Sequence, residues 1–136
     1  MNNLINPQIF DIKKPAKYKT ILIVDENFTW LSSIQKMLVK EDFLTIGFTR
    51  SEAAIKSINK HRPDIILLNC SNHNNLALNF IKVLKEKKIN LPLIVMVDSL
   101  DDNFVTEISR FGTLKILVKN EKFFEVLISK ITAILK

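Results

Sequence analysis

The sequence predicts an α/β fold in which a five-stranded parallel sheet is covered on both faces by helices. Three observations predict it. Five short β-branched apolar runs recur along the chain, stretches of helical spacing separate them, and only 2 Gly and 4 Pro occur in 136 residues. Runs of this length and composition suit buried strands rather than helices. So little Gly and Pro excludes collagen, a Gly-rich phosphate loop and a turn-dense all-β sandwich. Strict strand–helix alternation implies right-handed βαβ crossovers, and therefore one parallel sheet.

Residues 1–18 show no sustained periodicity and are punctuated by Pro7 and Pro15, so they read as a basic N-terminal extension to a single domain over residues 19–136. Strands are expected at Thr20–Val24, Leu44–Phe48, Asp64–Leu68, Leu93–Val97 and Lys115–Val118. The first helix places Leu31, Ile34 and Leu38 on one face, and the second places Ala54, Ile55 and Ile58. Leu76, Phe80, Val83 and Leu84 mark the third; Phe104 or Val105, Ile108 and Phe111 mark the fourth. Phe124, Leu127, Ile131, Ile134 and Leu135 mark the fifth, leaving Phe123, Val126 and Ile128 off its buried stripe. Thr49 and Glu52 form a T-x-x-E capping box for the second helix, and Gly112 stands where the fourth would be capped. Pro63 and Pro92 stand just before strands, where no ladder donor is needed.

With 47% hydrophobic and 25% charged residues, the composition is that of a globular domain. No apolar run approaches the roughly 20 residues of a membrane span. The first 19 residues lack the apolar centre of a secretory signal, and the lone Cys70 cannot form an internal disulfide. A cytoplasmic location is expected. Half of the net charge of +6 comes from residues 1–19, where Lys13, Lys14, Lys17 and Lys19 face only Asp11. The rest of the chain is nearly balanced, so a solvated Lys-rich surface is preferred to nucleic-acid binding. Lys82, Lys85, Lys87 and Lys88 read as a solvated helix face, Cys70 as a small buried apolar group, and Trp30 as partly packed. His61 and His73 have no ligand at metal spacing.

In open parallel sheets, ligands lie beyond the carboxyl ends of the strands, at a topological switch point. There the first strand ends in Asp25-Glu26, the third in Asn69-Cys70-Ser71, the fourth in Val97-Asp98-Ser99, and the fifth in Lys119-Asn120. An adjacent acidic pair and a lysine from separate strands are suited to holding a hard cation and a phosphate together.

The segments I-L-I-V-D-E at 21–26, P-D-I-I-L-L-N at 63–69, L-P-L-I-V-M-V-D at 91–98 and F-G-T-L-K-I-L-V-K at 111–119 agree in order, spacing and strand context with a known pattern. On these, residues 19–136 resemble the receiver domain of bacterial two-component response regulators. The resemblance implies a flavodoxin-like (βα)5 fold with strand order 2-1-3-4-5. It also implies Asp25 and Glu26 as the Mg²⁺ pair, Asn69 at the phosphoacceptor aspartate, Val97 at the switch hydroxyl, Lys119 at the phosphate lysine, and Ile116 at the rotating aromatic. Three of these five positions depart from what phosphorylation needs. The amide of Asn69 cannot form an acyl phosphate, Val97 has no hydroxyl, and Ile116 has no ring. Asp98 stands where the family usually keeps a small residue, and a third carboxylate there would repel phosphate. The nearest hydroxyl, Ser99, lies two residues beyond Val97. The loop S-N-H-N-N-L-A-L at 71–78 also lacks the family's usual Met-Pro and Asp-Gly features.

The expectation is a degenerate pseudo-receiver, not an enzyme, which signals by protein contact without phosphorylation. Its partners are expected to be pathway proteins, a second copy included, bound through the last two helices and last strand at Phe104, Ile116, Phe123 and Val126. Mg²⁺ is expected to bind Asp25 and Glu26 weakly or not at all, with no other cofactor. Lys119 is expected to pair with Asp98 or Asp25, and the Asp98 pair would hold one signalling state. The competing readings are a metal- or phosphate-binding α/β domain built on Asp25, Glu26 and Lys119, and nucleic-acid binding through the basic extension. Nothing within residues 1–136 resembles a winged helix or helix-turn-helix, so a transcription factor of the common type is not expected.

Overall fold

The computed structural model describes residues 18–70, 76–111 and 115–135. Five strands and five helices alternate: β1 (Thr20–Val24), α1 (Phe28–Lys40), β2 (Leu44–Phe48), α2 (Ser51–His61), β3 (Ile65–Cys70), α3 (Leu76–Glu86), β4 (Leu93–Val97), α4 (Asp102–Ser109), β5 (Lys115–Val118) and α5 (Phe123–Leu135). All strand pairs are parallel, in the order β2-β1-β3-β4-β5. Successive strands thus depart in opposite directions from the β1/β3 pair, the switch point where such a sheet opens a crevice.

The period of two along the strands divides the core into two layers. Leu22, Val24, Ile66, Leu68, Val95 and Val97 pack against Ala54 and Ile58 of α2, Phe80 and Leu84 of α3, and Phe104 and Ile108 of α4. Ile21, Ile23, Ile65, Leu67, Ile94 and Met96 face Leu31, Ile34 and Leu38 of α1, and Phe123, Leu127 and Ile131 of α5. Because β1, β3 and β4 are covered on both faces, their runs are continuously apolar rather than alternating. Gly47 in β2 marks a close approach of α1. A Cβ built there would stand 2.9 Å from Gln35 Nε2 and 3.0 Å from Leu31 Cδ1.

Several local expectations are corrected. β3 begins at Ile65 and runs to Cys70, because its ladder with β4 continues through Asn69–Met96 and Cys70–Val97. Asn69 therefore lies within the strand. The N-cap of α2 is Arg50, which makes no side-chain cap; Glu52 pairs with Arg50 at 3.3 Å instead of completing a box with Thr49. In α5 the buried stripe starts at Phe123, and Phe124, Val126 and Ile128 are half-buried beside it. The extension up to residue 17, His73 and the Gly112 cap lie outside the described residues.

Among the described residues, three helices are followed by a left-handed residue: Asp42 (φ 67°) after α1, Arg62 (φ 47°) after α2 and Lys88 (φ 59°) after α3. The bonds Phe43 N–H to Leu38 O and Ile89 N–H to Leu84 O close the first and third of these turns. For residues with a side chain, this conformation costs about 1–2 kcal/mol each.

Candidate functional site

The sheet's switch point brings together the ends of β1 and β3. Asp25 follows Val24, which is in register with Leu68, so Asp25, one step past the end of β1, stands beside Asn69, the next residue of β3. Asp25 is 1% exposed. Its Oδ1 accepts from the Asn27 backbone N–H at 2.9 Å and from Asn69 Nδ2 at 3.0 Å. Among the described residues, its Oδ2 and the Asn69 Oδ1 are buried without a hydrogen-bond partner. Burial pushes the Asp25 carboxyl above its ordinary value and Glu26 adds repulsion, whereas the Asn27 bond, the charge of Lys119 and the Asn69 bond oppose the rise. Asn27 also caps α1, with its Oδ1 accepting from Trp30 N–H at 3.0 Å. One tight turn thus starts the helix and holds the carboxylate.

The fourth and fifth strands complete the crevice. Val97 is buried at the end of β4, and its carbonyl accepts from the Lys119 backbone N–H at 2.8 Å. That bond fixes the register, leaving Ser99 exposed beyond the strand. Lys119 Nζ stands 3.4 Å from Asp98 Oδ1; the Lys119 side chain is 14% exposed and that of Asp98 57%. The same ammonium lies 5.3 Å from the centroid of the Trp30 ring. Trp30 packs on Phe123 and Phe124 at centroid distances of 5.5 and 5.6 Å, tying the lysine to α1 and α5. Cys70 is buried, and desolvation pushes its thiol up to about 11, with Asp98 also raising it and Lys119 opposing. It is a packed apolar group at the site's edge, without thiolate character.

Of the expected site residues, Asp25, Asn69, Val97, Asp98 and Lys119 gather around this crevice. Glu26 is exposed and lines a neighbouring pocket of about 180 Å³ together with Asn69, Thr49 and Arg50. Asn27 and Trp30 were not legible as site residues. The only signal was an Asx residue three before an aromatic, an ordinary cap pattern. The expected contact surface needs correction. Phe104 and Phe123 are both buried, each filling the seam between its helix and the sheet. Ile116 and Val126 are half-buried. Near α4, among the described residues, Leu100 is an exposed large apolar side chain, at 64%.

As a cation site the crevice offers hard oxygens: the unpartnered Asp25 Oδ2, the unpartnered Asn69 Oδ1, and the Glu26 carboxylate nearby. These fit Mg²⁺ in donor type. They supply two carboxylates, and no group of three His, Cys, Asp or Glu that could hold a metal occurs among the described residues.

Comparison with known proteins agrees with this fold. The model of a family described as "Response regulator receiver domain" matches residues 21–131. A curated relative, the DNA-binding transcriptional regulator NtrC of Proteus hauseri, is 24% identical over 76 residues, covering 56% of this chain and 16% of its own length. The chain thus spans less than a fifth of that relative. The chemotaxis protein CheY4 of Vibrio cholerae superposes with a TM-score of 0.76 at 16% identity, covering 86% of this chain and 98% of its own. HP1043, an orphan response regulator of H. pylori, gives 0.74 at 20% identity, covering 90% and 100%. A response regulator from Thermotoga maritima gives 0.74 at 17%, covering 87% and 98%. At these identities the structures share the fold.

Proposed function

Because this chain belongs to the response regulator receiver domain family, we propose that it is a receiver unable to take a phosphoryl group at the usual position, which signals through protein contact instead. Receiver domains are modules of two-component signalling, and signalling proteins are their partners. One observation carries the reading: Asn69, next to last in β3, donates to the buried carboxylate of Asp25. An aspartate there would have to hold its negative charge beside that of Asp25. An asparagine satisfies Asp25 with a neutral hydrogen bond, and its amide offers no nucleophilic oxygen for an acyl phosphate.

The rest of the crevice supports the same reading. Val97 offers no hydroxyl, and Ile116 offers no aromatic ring. Lys119 is already engaged by Asp98 at 3.4 Å. In our reading that ion pair stands where a phosphoryl–lysine contact would form and holds the loop after β4 in one arrangement. The transmitting surface is the α4–β5 side, where Leu100 and Ile116 offer apolar area. Bound Mg²⁺ would neutralise charge on a transferring phosphoryl group, and Asp25, Glu26 and Asn69 would hold it. With two carboxylates rather than three, its affinity is expected to be weak.

Beryllofluoride, which mimics an acyl phosphate, tests this directly. With Mg²⁺ present it should leave the amide NMR spectrum of the protein unchanged, whereas Asn69→Asp should gain local shifts around β3. Since Val97 and Ile116 remain in that variant, α4 and α5 should move little. Saturable beryllofluoride binding by the unaltered chain would overturn the proposal.

A further inference from the structure

At the end of the sheet opposite Asp25, α2 and α3 terminate around a pocket of about 450 Å³. Among the described residues, Arg62, Lys87 and Lys88 line it, and no acidic side chain does. Its apolar floor comes from Ile58, Ile89 and Leu91, which are buried or half-buried.

The backbone singles out two of the cations. Arg62 and Lys88 hold φ of 47° and 59°, in left-handed helix caps where glycine is the unstrained choice. The third such residue, Asp42, has a short polar side chain of the type that tolerates this region. Arginine and lysine gain no comparable local hydrogen bond. Both strained positions line one pocket, and strain retained in this way points to a role beyond the backbone. Neutralising the helix ends does not account for the charge. Each carboxyl end contributes about half a negative charge, so three cations against two helix ends leave an excess of about two positive charges.

We infer that this pocket binds a mononucleotide, its flat base on the Ile58–Ile89–Leu91 floor and its phosphate on Arg62 and Lys88. The volume falls within the roughly 300–1,000 Å³ of small-molecule sites, which combine apolar walls with a few polar groups. The guanidinium of Arg62 has the planar fork that meets phosphate oxygens in pairs. The floor gives an organic phosphate an advantage over inorganic phosphate. The site is at the opposite end of the sheet from Asn69, so it stands independently of how the crevice is read.

The test is an amide NMR titration of the full chain with GMP, with guanosine and inorganic phosphate as separate arms. Saturable shifts are expected for residues 58–62 and 87–91, with each control binding at least about tenfold more weakly. The Arg62→Gly/Lys88→Gly double variant removes both charges and relieves both caps. It should lose about tenfold or more in GMP affinity while melting at an equal or higher temperature, so lost binding cannot be mistaken for unfolding. Equal binding of inorganic phosphate, shifts spread over all surface lysines, or undiminished GMP binding by the double variant would overturn the inference. A short oligonucleotide binding far more tightly than GMP would also overturn it, in favour of an extended nucleic-acid surface.

Discussion

Asp25 illustrates how one buried atom set decides the chemistry. Its Oδ1 is doubly hydrogen-bonded, yet burial still raises its proton affinity above that of a free carboxyl. A carboxyl raised in the folded state contributes stability below its ordinary value of 3.8, and that stability is lost as pH rises through the folded value. Asp25→Asn should therefore raise the urea midpoint at neutral pH, the gain shrinking as pH falls toward the ordinary value; an equal gain at every pH would contradict this account. Lys119 and Asp98 give a second prediction. Asp98 is mostly exposed, so Asp98→Ala should cost only about 0–1 kcal/mol. In urea denaturation the Asp98→Ala/Lys119→Ala variant should cost less than the sum of the singles. The residue types at this site were legible because strand ends mark the crevice. The partners of Lys119 were narrowed to Asp98 or Asp25, and spacing alone could not choose between them. The cation–aromatic contact with Trp30 was out of reach, since it joins positions 89 apart in the chain.

At the level of elements, the strands were more legible than the helix edges. Continuous apolar runs survive any small shift of boundary, so β1, β2, β4 and β5 fall where the sequence put them, and only β3 slides toward Cys70. The fifth helix was harder because Phe123 and Phe124 are adjacent, and either can start a stripe through Leu127 and Ile131. Packing decides for Phe123, which is buried in the core layer with Leu127 and Ile131, whereas Phe124 is half-buried beside it. Phe123→Ala should cost about 3–5 kcal/mol in chemical denaturation. It should also weaken the seat of Trp30 beside Lys119, visible as a red shift in tryptophan fluorescence. The capping box at Thr49 fails by one residue of register: α2 starts at Ser51 with Arg50 as its N-cap, so Thr49 stands outside the cap and Glu52 pairs with Arg50 at the surface.

For the whole molecule, alternation of strand and helix with few glycines leaves few topologies, and right-handed crossovers remove most of the remainder. The order β2-β1-β3-β4-β5 came from resemblance to a family and is the order observed. No spacing rule shows which helix ends enclose a pocket, so the basic cavity beneath α2 and α3 was read from sequence only as a solvated lysine face. The central claim is that this receiver keeps its family's crevice without its phosphorylation chemistry. Intact-mass spectrometry after incubation with acetyl phosphate and Mg²⁺ tests it most directly, with Asn69→Asp run in parallel. The account predicts no added phosphoryl group on the unaltered chain and at most slow, partial addition to the variant; a stoichiometric phosphoryl adduct on the unaltered chain would contradict it.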